Sequence, residues 1–272
     1  MIKKLTSADS QLIQGFAYKR EEENMFITGA FEREKDPFAK NFFYEFFRDD
    51  DSNNEEVLGL AVFFGQWGNL NVSSQDDEII RALTDHLFTQ GHKLAAIACF
   101  SRYGEVIVKQ LKLHGLHPKD IEEKTVYRLT KGNFVDFSNG GEEVAQDSDR
   151  KELLRIAKLV FEGEADPEIK KEELNRISEE NEFVIRKGGK IVSKANINAL
   201  SKNYFQIGGV ATLEEHRRQG LAKQVVSVLC RHFLAQGKEG LLFTNNDNTA
   251  SKRVYQQIGF KPFDQYMMAM YG

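Results

Sequence analysis

Arg217, Arg218 and Gly220 stand directly ahead of a strongly apolar helical stretch. The first turn of a helix carries N–H groups without partners and the positive end of the dipole. A glycine there lets an anion approach the backbone closely, and the arginines add cationic donors. That chemistry is phosphate binding. "RRQGLA" lacks the spacing of a P-loop and of Gly-x-Gly-x-x-Gly, so alone it serves equally well as a turn into a helix. A second group lies downstream in "NTASKRVYQQIGF". Asn248 occupies a cap position, and Ala250, Val254 and Ile258 recur at i, i+4 and i+8 as a core stripe. Ser251 and Tyr255 share a neighbouring face. Upstream, Gly208 and Gly209 inside the strand-like "QIGGVAT" point to a bulge, which frees backbone N–H and C=O groups.

Together these segments resemble the GCN5-related N-acetyltransferase (GNAT) superfamily, which carries Arg/Gln-x-x-Gly-x-Gly/Ala followed by Asn-x-x-Ala/Ser-x-x-Leu/Ile/Val-Tyr-x-x-x-Gly-Phe. Both motifs occur here in that order, about 30 residues apart. The run from "IGGVATLEEHRRQGLA" to "IGFKP" is similar to bacterial two-domain members whose first domain is a degenerate copy. The resemblance covers roughly residues 150 to 272, and the first half matches in order of elements only. It implies an α/β fold of two tandem GNAT-like domains. Each is a mixed, mostly antiparallel sheet flanked by helices, with the option of one continuous sheet. It implies acetyl-CoA as co-substrate and no metal.

The roles that follow from the resemblance are specific. Val210 and Thr212, with Ala211 between them, would bond the pantetheine arm through their backbones. Arg218, Gln219, Gly220, Leu221 and Ala222 would cradle the pyrophosphate by backbone N–H, with Arg217 at the family's Arg/Gln position. Asn248 and Ser251 would contact the pantetheine and phosphate side. Tyr255 would protonate the leaving thiolate, and the Val210 N–H would face the developing oxyanion. A thiol titrates near about 8.5 and a phenol near about 10, so this transfer is nearly balanced. Relatives often carry Pro-Glu-Tyr before the arginine; here the residues are Glu214, Glu215 and His216. Binding through backbone groups is unaffected by that change. The general base is open: these three loop residues read first as solvated charges, and water or a group from the first half serves as well. His114 and His117 read as cap and surface residues. The function implied is N-acetyl transfer by direct attack of a primary amine, on a small molecule or a peptide. The alternative is a catalytically weak acyl-CoA sensor.

The elements that must position these groups follow from periodicity. In the first half "EEVLGLAVFFG", "NLNVSS", "KLAAIACF" and "KTVYRLT" read as strands, with helices over 76–90 and 103–114. "NFFYEFF" reads as an aromatic cluster for core packing, with Phe42, Phe43, Phe46 and Phe47. In the second half "DRKELLRIAKLVFEGE" and 168–180 read as helices, and "EFVIRKGGKIVSKANINAL" as a hairpin turning at Gly188-Gly189. Then follow the strand "NYFQIGGVAT", a helix over 221–236, the strand "GLLFTN", a helix over 249–258 and the strand "DQYMMAMY".

The two halves also match each other. His86 and Gly91 precede His232 and Gly237 by 146 residues, and Gly115 and Pro118 precede Gly259 and Pro262 by 144. This is an internal duplication. The domains expected are 1–132 without a cofactor site, a linker over 133–148, and 149–272 with the site. Counting back from Gly220 lands on Ser74, next to Asp76, Asp77 and Glu78. An acidic helix start favours the dipole and repels pyrophosphate. Tyr255 counts back to Leu111 and Asn248 to Gly104. The first copy is therefore a structural half that walls an acceptor cleft.

The chain has 272 residues, 41% hydrophobic and 29% charged, with a net charge of −4. That size suits two domains of about 130 residues. The charge argues against a general nucleic-acid binder. Cys99 and Cys230 lie in apolar segments without metal or disulfide spacing, as buried thiols in a reducing compartment do. The N-terminus lacks an apolar core, and no apolar run nears the ~20 residues that span a bilayer. A cytoplasmic protein, monomeric or homodimeric and without membrane partners, is expected.

Overall fold

The computed structural model describes residues 2–33, 37–38, 44–50, 57–65, 67–165, 167–170 and 182–272, with backbone alone for 44–50. The first half runs β1 (Ile2–Leu5), α1 (Ser10–Ala17), α2 (Met25–Arg33), β2 (Tyr44–Asp50), β3 (Val57–Phe64), β4 (Asn69–Ser74), α3 (Asp77–Thr89), β5 (Ala96–Phe100), α4 (Ser101–Leu113) and β6 (Asp120–Leu129). The second runs β7 (Glu142–Val144), α5 (Arg150–Ala157), β8 (Glu182–Lys187), β9 (Lys190–Leu200), β10 (Tyr204–Thr212), α6 (Leu221–Ala235), β11 (Glu239–Asn245), α7 (Thr249–Ile258) and β12 (Lys261–Met270). The strands and helices read from periodicity are present; β1, β2 and β7 were not expected. Of "NFFYEFF", residues 44–47 begin β2. Phe42 and Phe43 lie outside the described residues, as do the side chains of Phe46 and Phe47. The helix expected over 168–180 falls outside them from 171 onward, and 168–170 are not helical.

The twelve strands among the described residues form one mixed sheet, in the order β1-β2-β3-β4-β5-β12-β6-β11-β10-β9-β8-β7. The centre of that order carries an exchange. β12, from the end of the chain, pairs antiparallel with β5 of the first half. β6, from the end of the first half, pairs antiparallel with β11 of the second. β6 and β12 then pair with each other along their whole lengths. The exchange shows in the cores. Tyr266, Met267 and Ala269 of β12 are buried with Phe100, Ile107 and Leu111, whereas Tyr127 and Leu129 of β6 are buried with Phe205, Leu229 and Phe260.

Local causes are plain in the second half. Gly188 and Gly189 take φ of +57° and +77°, as the two-residue hairpin turn between β8 and β9 requires. On α6 the stripe Leu221, Val225, Val228, Leu229 and Phe233 is buried, each side chain contributing about 1.5–3 kcal/mol relative to exposure. α7 stops at Gly259, φ +107°, where an added Cβ would stand 1.8 Å from the Asn133 carbonyl oxygen. The stretch read as a linker is strapped to this half: Val135 N–H donates to Ile258 O at 2.8 Å, and Phe134 and Phe137 pack on its core. A second clamp joins the halves. The Glu21 carboxylate, 4% exposed, accepts from the Ser201 hydroxyl and from the backbone and side-chain nitrogens of Asn203 at 2.6–2.7 Å.

Candidate active site

β10 and β11 pair in parallel from Tyr204↔Glu239 to Ile207↔Leu242, and there the pairing ends. On the other side, the register of β10 against β9 shifts between Gly208 and Ala211, and Gly209 has φ +53°. The backbone of 208–210 is thus released from β11 where the two strands diverge. That is the bulge the paired glycines predicted, and it opens a slot between two strands lined with unladdered peptide groups.

β10 then leads through a turn at Glu214–His216 into α6. Arg218 has φ +61°, the sole non-glycine at positive φ among the described residues. Such a conformation costs about 1–2 kcal/mol and is retained where function requires it. Gly220, φ +79°, is the N-cap of α6 and offers no side chain to cap it. Among the described residues, the N–H groups of 218–223 have no backbone acceptor. Arg217 folds back, its Nε donating to Thr212 O at 3.3 Å. On the far wall Asn248 caps α7 through Oδ1, accepting from Ser251 N–H at 3.0 Å.

These pieces enclose a cavity of about 620 Å³. Val210, Thr212, Arg217, Arg218, Gly220, Leu221, Ala222, Asn248, Ser251 and Tyr255 all line it. The side chains of two further residues do not, which leaves the backbone roles expected of them untouched. Ala211 points to the opposite face, buried with Leu153 and Ile156, because strand residues alternate. The Gln219 side chain turns outward to Lys187 and to Glu215 O. Of the loop residues weighed as a base, His216 lines the cavity, while Glu214 and Glu215 are exposed and do not. His114 bonds Asp85 at 2.6 Å and stacks on Phe88, far in sequence from this wall. Sequence reasoning missed Val160 and Phe161. They reach the cavity from a π-helical turn, Lys158–Glu162, that continues α5; the signal was an exposed Phe161 in "KLVFEGE".

Tyr255 is 8% exposed. Burial raises its phenol to about 12, with the neighbouring Cys230 thiol adding to the shift and a hydrogen bond with Ser251 opposing it. It therefore stays protonated at neutral pH and is a proton donor, not a base. Burial sets this phenol well above a thiol in water, so transfer would stay near balance only where the leaving thiolate is desolvated by the same dry wall.

The residues present fit acetyl-CoA. Unpaired N–H groups and two arginines suit a diphosphate. Freed peptide groups suit the amides of a pantetheine arm, and Val160, Val210 and Val254 suit its apolar stretches.

The first half shows the same frame closed. β4 and β5 pair at Asn69↔Ala96 and Leu70↔Ile97 and then diverge. Asn71 Nδ2 bridges that opening to Ala98 O at 3.3 Å. Gln75 bonds the Tyr103 hydroxyl at 3.0 Å, and Tyr103 and Arg102 both bond Glu23. β3 and β4 pair without a register shift. At α3 the N-cap is Asp76, whose Oδ1 accepts from Glu78 N–H at 2.7 Å. Matching cap to cap sets Asp76 opposite Gly220 and Phe100 opposite Asn248. This corrects the counts that landed on Ser74 and Gly104. The helices differ in length, α6 having 15 residues to 13 in α3, so one fixed offset cannot serve.

Residues 189–269 match the FR47-like protein family. No curated protein matches the chain by sequence. Among solved structures, an acetyltransferase of the GNAT family from Colwellia psychrerythraea aligns over 100% of both chains at 14% identity and a TM-score of 0.61. A tandem GNAT protein from the clavulanic acid biosynthesis pathway aligns over 100% of this chain and 99% of its own, at 13% and 0.63. A Drosophila protein aligns over 99% and 98%, at 12% and 0.68. With residues 189–269 matching an FR47-like sequence and a full-length likeness to solved GNAT structures, one of them a tandem GNAT protein, the chain carries the fold of the GNAT superfamily in both its halves.

Proposed function

We propose that the chain transfers the acetyl group of acetyl-CoA to a primary amine. One observation carries this: an uncapped helix N-terminus, a released strand and a buried tyrosine all face a single cavity. The amine nitrogen attacks the thioester carbonyl, a C–N bond forms and the C–S bond breaks. The Val210 N–H, on the bulge, stabilises charge developing on the carbonyl oxygen. Tyr255 gives its proton to the departing sulfur and recovers it from solvent. The proton released by the amine goes to His216, the imidazole on the cavity wall, or to water.

The test pairs calorimetry of acetyl-CoA with thiol release on a panel of amines. Tyr255→Phe should keep acetyl-CoA affinity and lose roughly 10²–10⁴ in kcat, the usual worth of a general acid. A chain that only senses acetyl-CoA would bind it, turn over no amine and show no effect of the substitution.

A further inference from the structure

A second cavity, of about 560 Å³, lies between the halves, walled by α2, β3 and β4 on one side and by α5, β8 and β9 on the other. Two of its lining residues, Asn196 and Asn198, lie against the bulge that leads to the first. An added Cβ at Gly209 would stand 1.8 Å from Asn196 Oδ1, and one at Gly208 2.0 Å from Asn198 Nδ2. The glycine pair thus admits two carboxamides that lie directly on the backbone leading to Val210. Asn196 and Asn198 line this second cavity, and Val210 lines the first.

Resting on the acyl-transfer reading above, we propose that this cavity is the acceptor site and that it takes a compact monoamine of amino-acid size. Its other polar groups are hydroxyl, amide or carboxylate, not further ammonium groups. Asn196 and Asn198 are positioning residues for the amine, and Asn69 and Trp67 of the first half select its remaining groups.

The lining carries the argument. Asn196 Nδ2 bonds Asn198 Oδ1 at 2.9 Å, and Lys194 bonds both Glu182 and Asn196. Glu182 and Lys194 are 3% and 4% exposed, so their charges cancel inside the wall and hold Asn196 in place. Among the described residues Glu182 is the cavity's one carboxylate, and Lys194 neutralises it. Among the described residues, a polycation would therefore bring several ammonium groups to a wall that holds Arg33 and no unneutralised carboxylate. Three carboxamides suit a substrate with mixed donors and acceptors. Asn69 Oδ1 is buried with no hydrogen-bond partner among the described residues, and a ligand donor would satisfy it. Trp67, 52% exposed, offers a flat apolar face at the rim.

Trp67 is the chain's single tryptophan, so its emission reports occupancy without turnover. The full chain, saturated with CoA, is titrated with glycinamide, serine, glucosamine and spermidine. The monoamines should change the emission saturably and, in a parallel assay with acetyl-CoA in place of CoA, be acetylated, and spermidine should do neither. Asn198→Ala should raise the midpoint and the acceptor KM together about five- to ten-fold, as one lost hydrogen bond does, with acetyl-CoA affinity unchanged. Trp67→Ala, at an exposed position that cannot unfold the core, should raise KM alone. Acetylation without any Trp67 response and with unaltered KM in Asn198→Ala places the acceptor elsewhere and overturns the proposal. Preference for spermidine, or no response to any monoamine, overturns the class. Failure of the chain to bind acetyl-CoA at all would instead sink the acyl-transfer reading, and calorimetry reads that separately.

Discussion

Gly220 is where the charge at the helix start can be tested alone. Its φ of +79° belongs to the left-handed region, which Asn and Asp tolerate better than other side chains. Nothing lies within 4 Å of a Cβ built there. Gly220→Asn and Gly220→Asp are therefore near-isosteric variants that should each fold, with stability within about 1 kcal/mol of the parent as cap gain offsets backbone strain. The α3 helix shows what the aspartate would do: Asp76 puts a carboxylate oxygen 2.7 Å from its own first-turn N–H. That is the seat a pyrophosphate oxygen would take. Displaced to about 5 Å, one unit charge pair repels by about 3 kcal/mol at an effective dielectric of about 20. Gly220 is exposed, and salt with a Debye length near about 8 Å removes part of this. About 2 kcal/mol remains, or roughly 30-fold in Kd between the two variants. Calorimetry of acetyl-CoA against both, at low and high salt, reads it. Asn and Asp variants that bind equally, or an Asp variant as tight as the parent, would refute the anion-seat argument.

Three further expectations follow from the same residues. Tyr255 titrates near 12 when folded and near about 10 when unfolded. Its contribution to stability is full below pH 10 and lost as pH rises toward 12; urea midpoints should be flat to pH 10 and fall beyond it, less so in Tyr255→Phe. Lys194→Met strands the Glu182 carboxylate in a wall only 3% exposed, which should destabilise by about 3–5 kcal/mol in denaturant titration, whereas replacing both partners with apolar residues should be near neutral. Residues 1–130 expressed alone lack β12 and residues 131–272 lack β6, so neither should unfold cooperatively, and co-expression should restore a cooperative transition.

Much of the second half was legible because its signals are local. α6 announces itself by a stripe between two glycines, and α7 by a stripe, a cap and a terminal glycine, each within one short window. β1, "IKKL", and β7, "EEV", escaped because they are the two outer edges of the sheet. Short, charged edge strands resist aggregation, and the same charges hide them from a hydrophobic reading. β2 was hidden the other way: "YEFFRDD" offers adjacent aromatics, not alternation. The exchange of β6 and β12 leaves no local trace, since alternation fixes which face a side chain takes but not which strand lies beside it. Val160 and Phe161 depend on a π turn that no spacing rule exposes. The second cavity brings Trp67 and Asn69 to Asn196 and Asn198 across more than a hundred residues, and only packing shows that.

The two helix starts differ in what they leave open. An absent N-cap costs a helix about 1 kcal/mol, and the left-handed Arg218 costs a similar amount. α6 thus carries local instability where its N–H groups must stay available. The first half has turned the same groups inward: Asp76 caps α3, Asn71 bridges the diverging strands, and Glu23, Tyr103 and Gln75 bond one another where α4 begins. Those bonds occupy the positions that α6 and its neighbouring strands leave open. The exchanged strands prevent the loss of the first half, because β12 follows directly on α7, the helix of Asn248, Ser251 and Tyr255, and its buried side chains belong to the first half's core. Any change that loosens that core loosens the strand on which α7 ends. The first half thereby supports the strand that follows α7 and supplies Trp67 and Asn69 to the cavity between the halves.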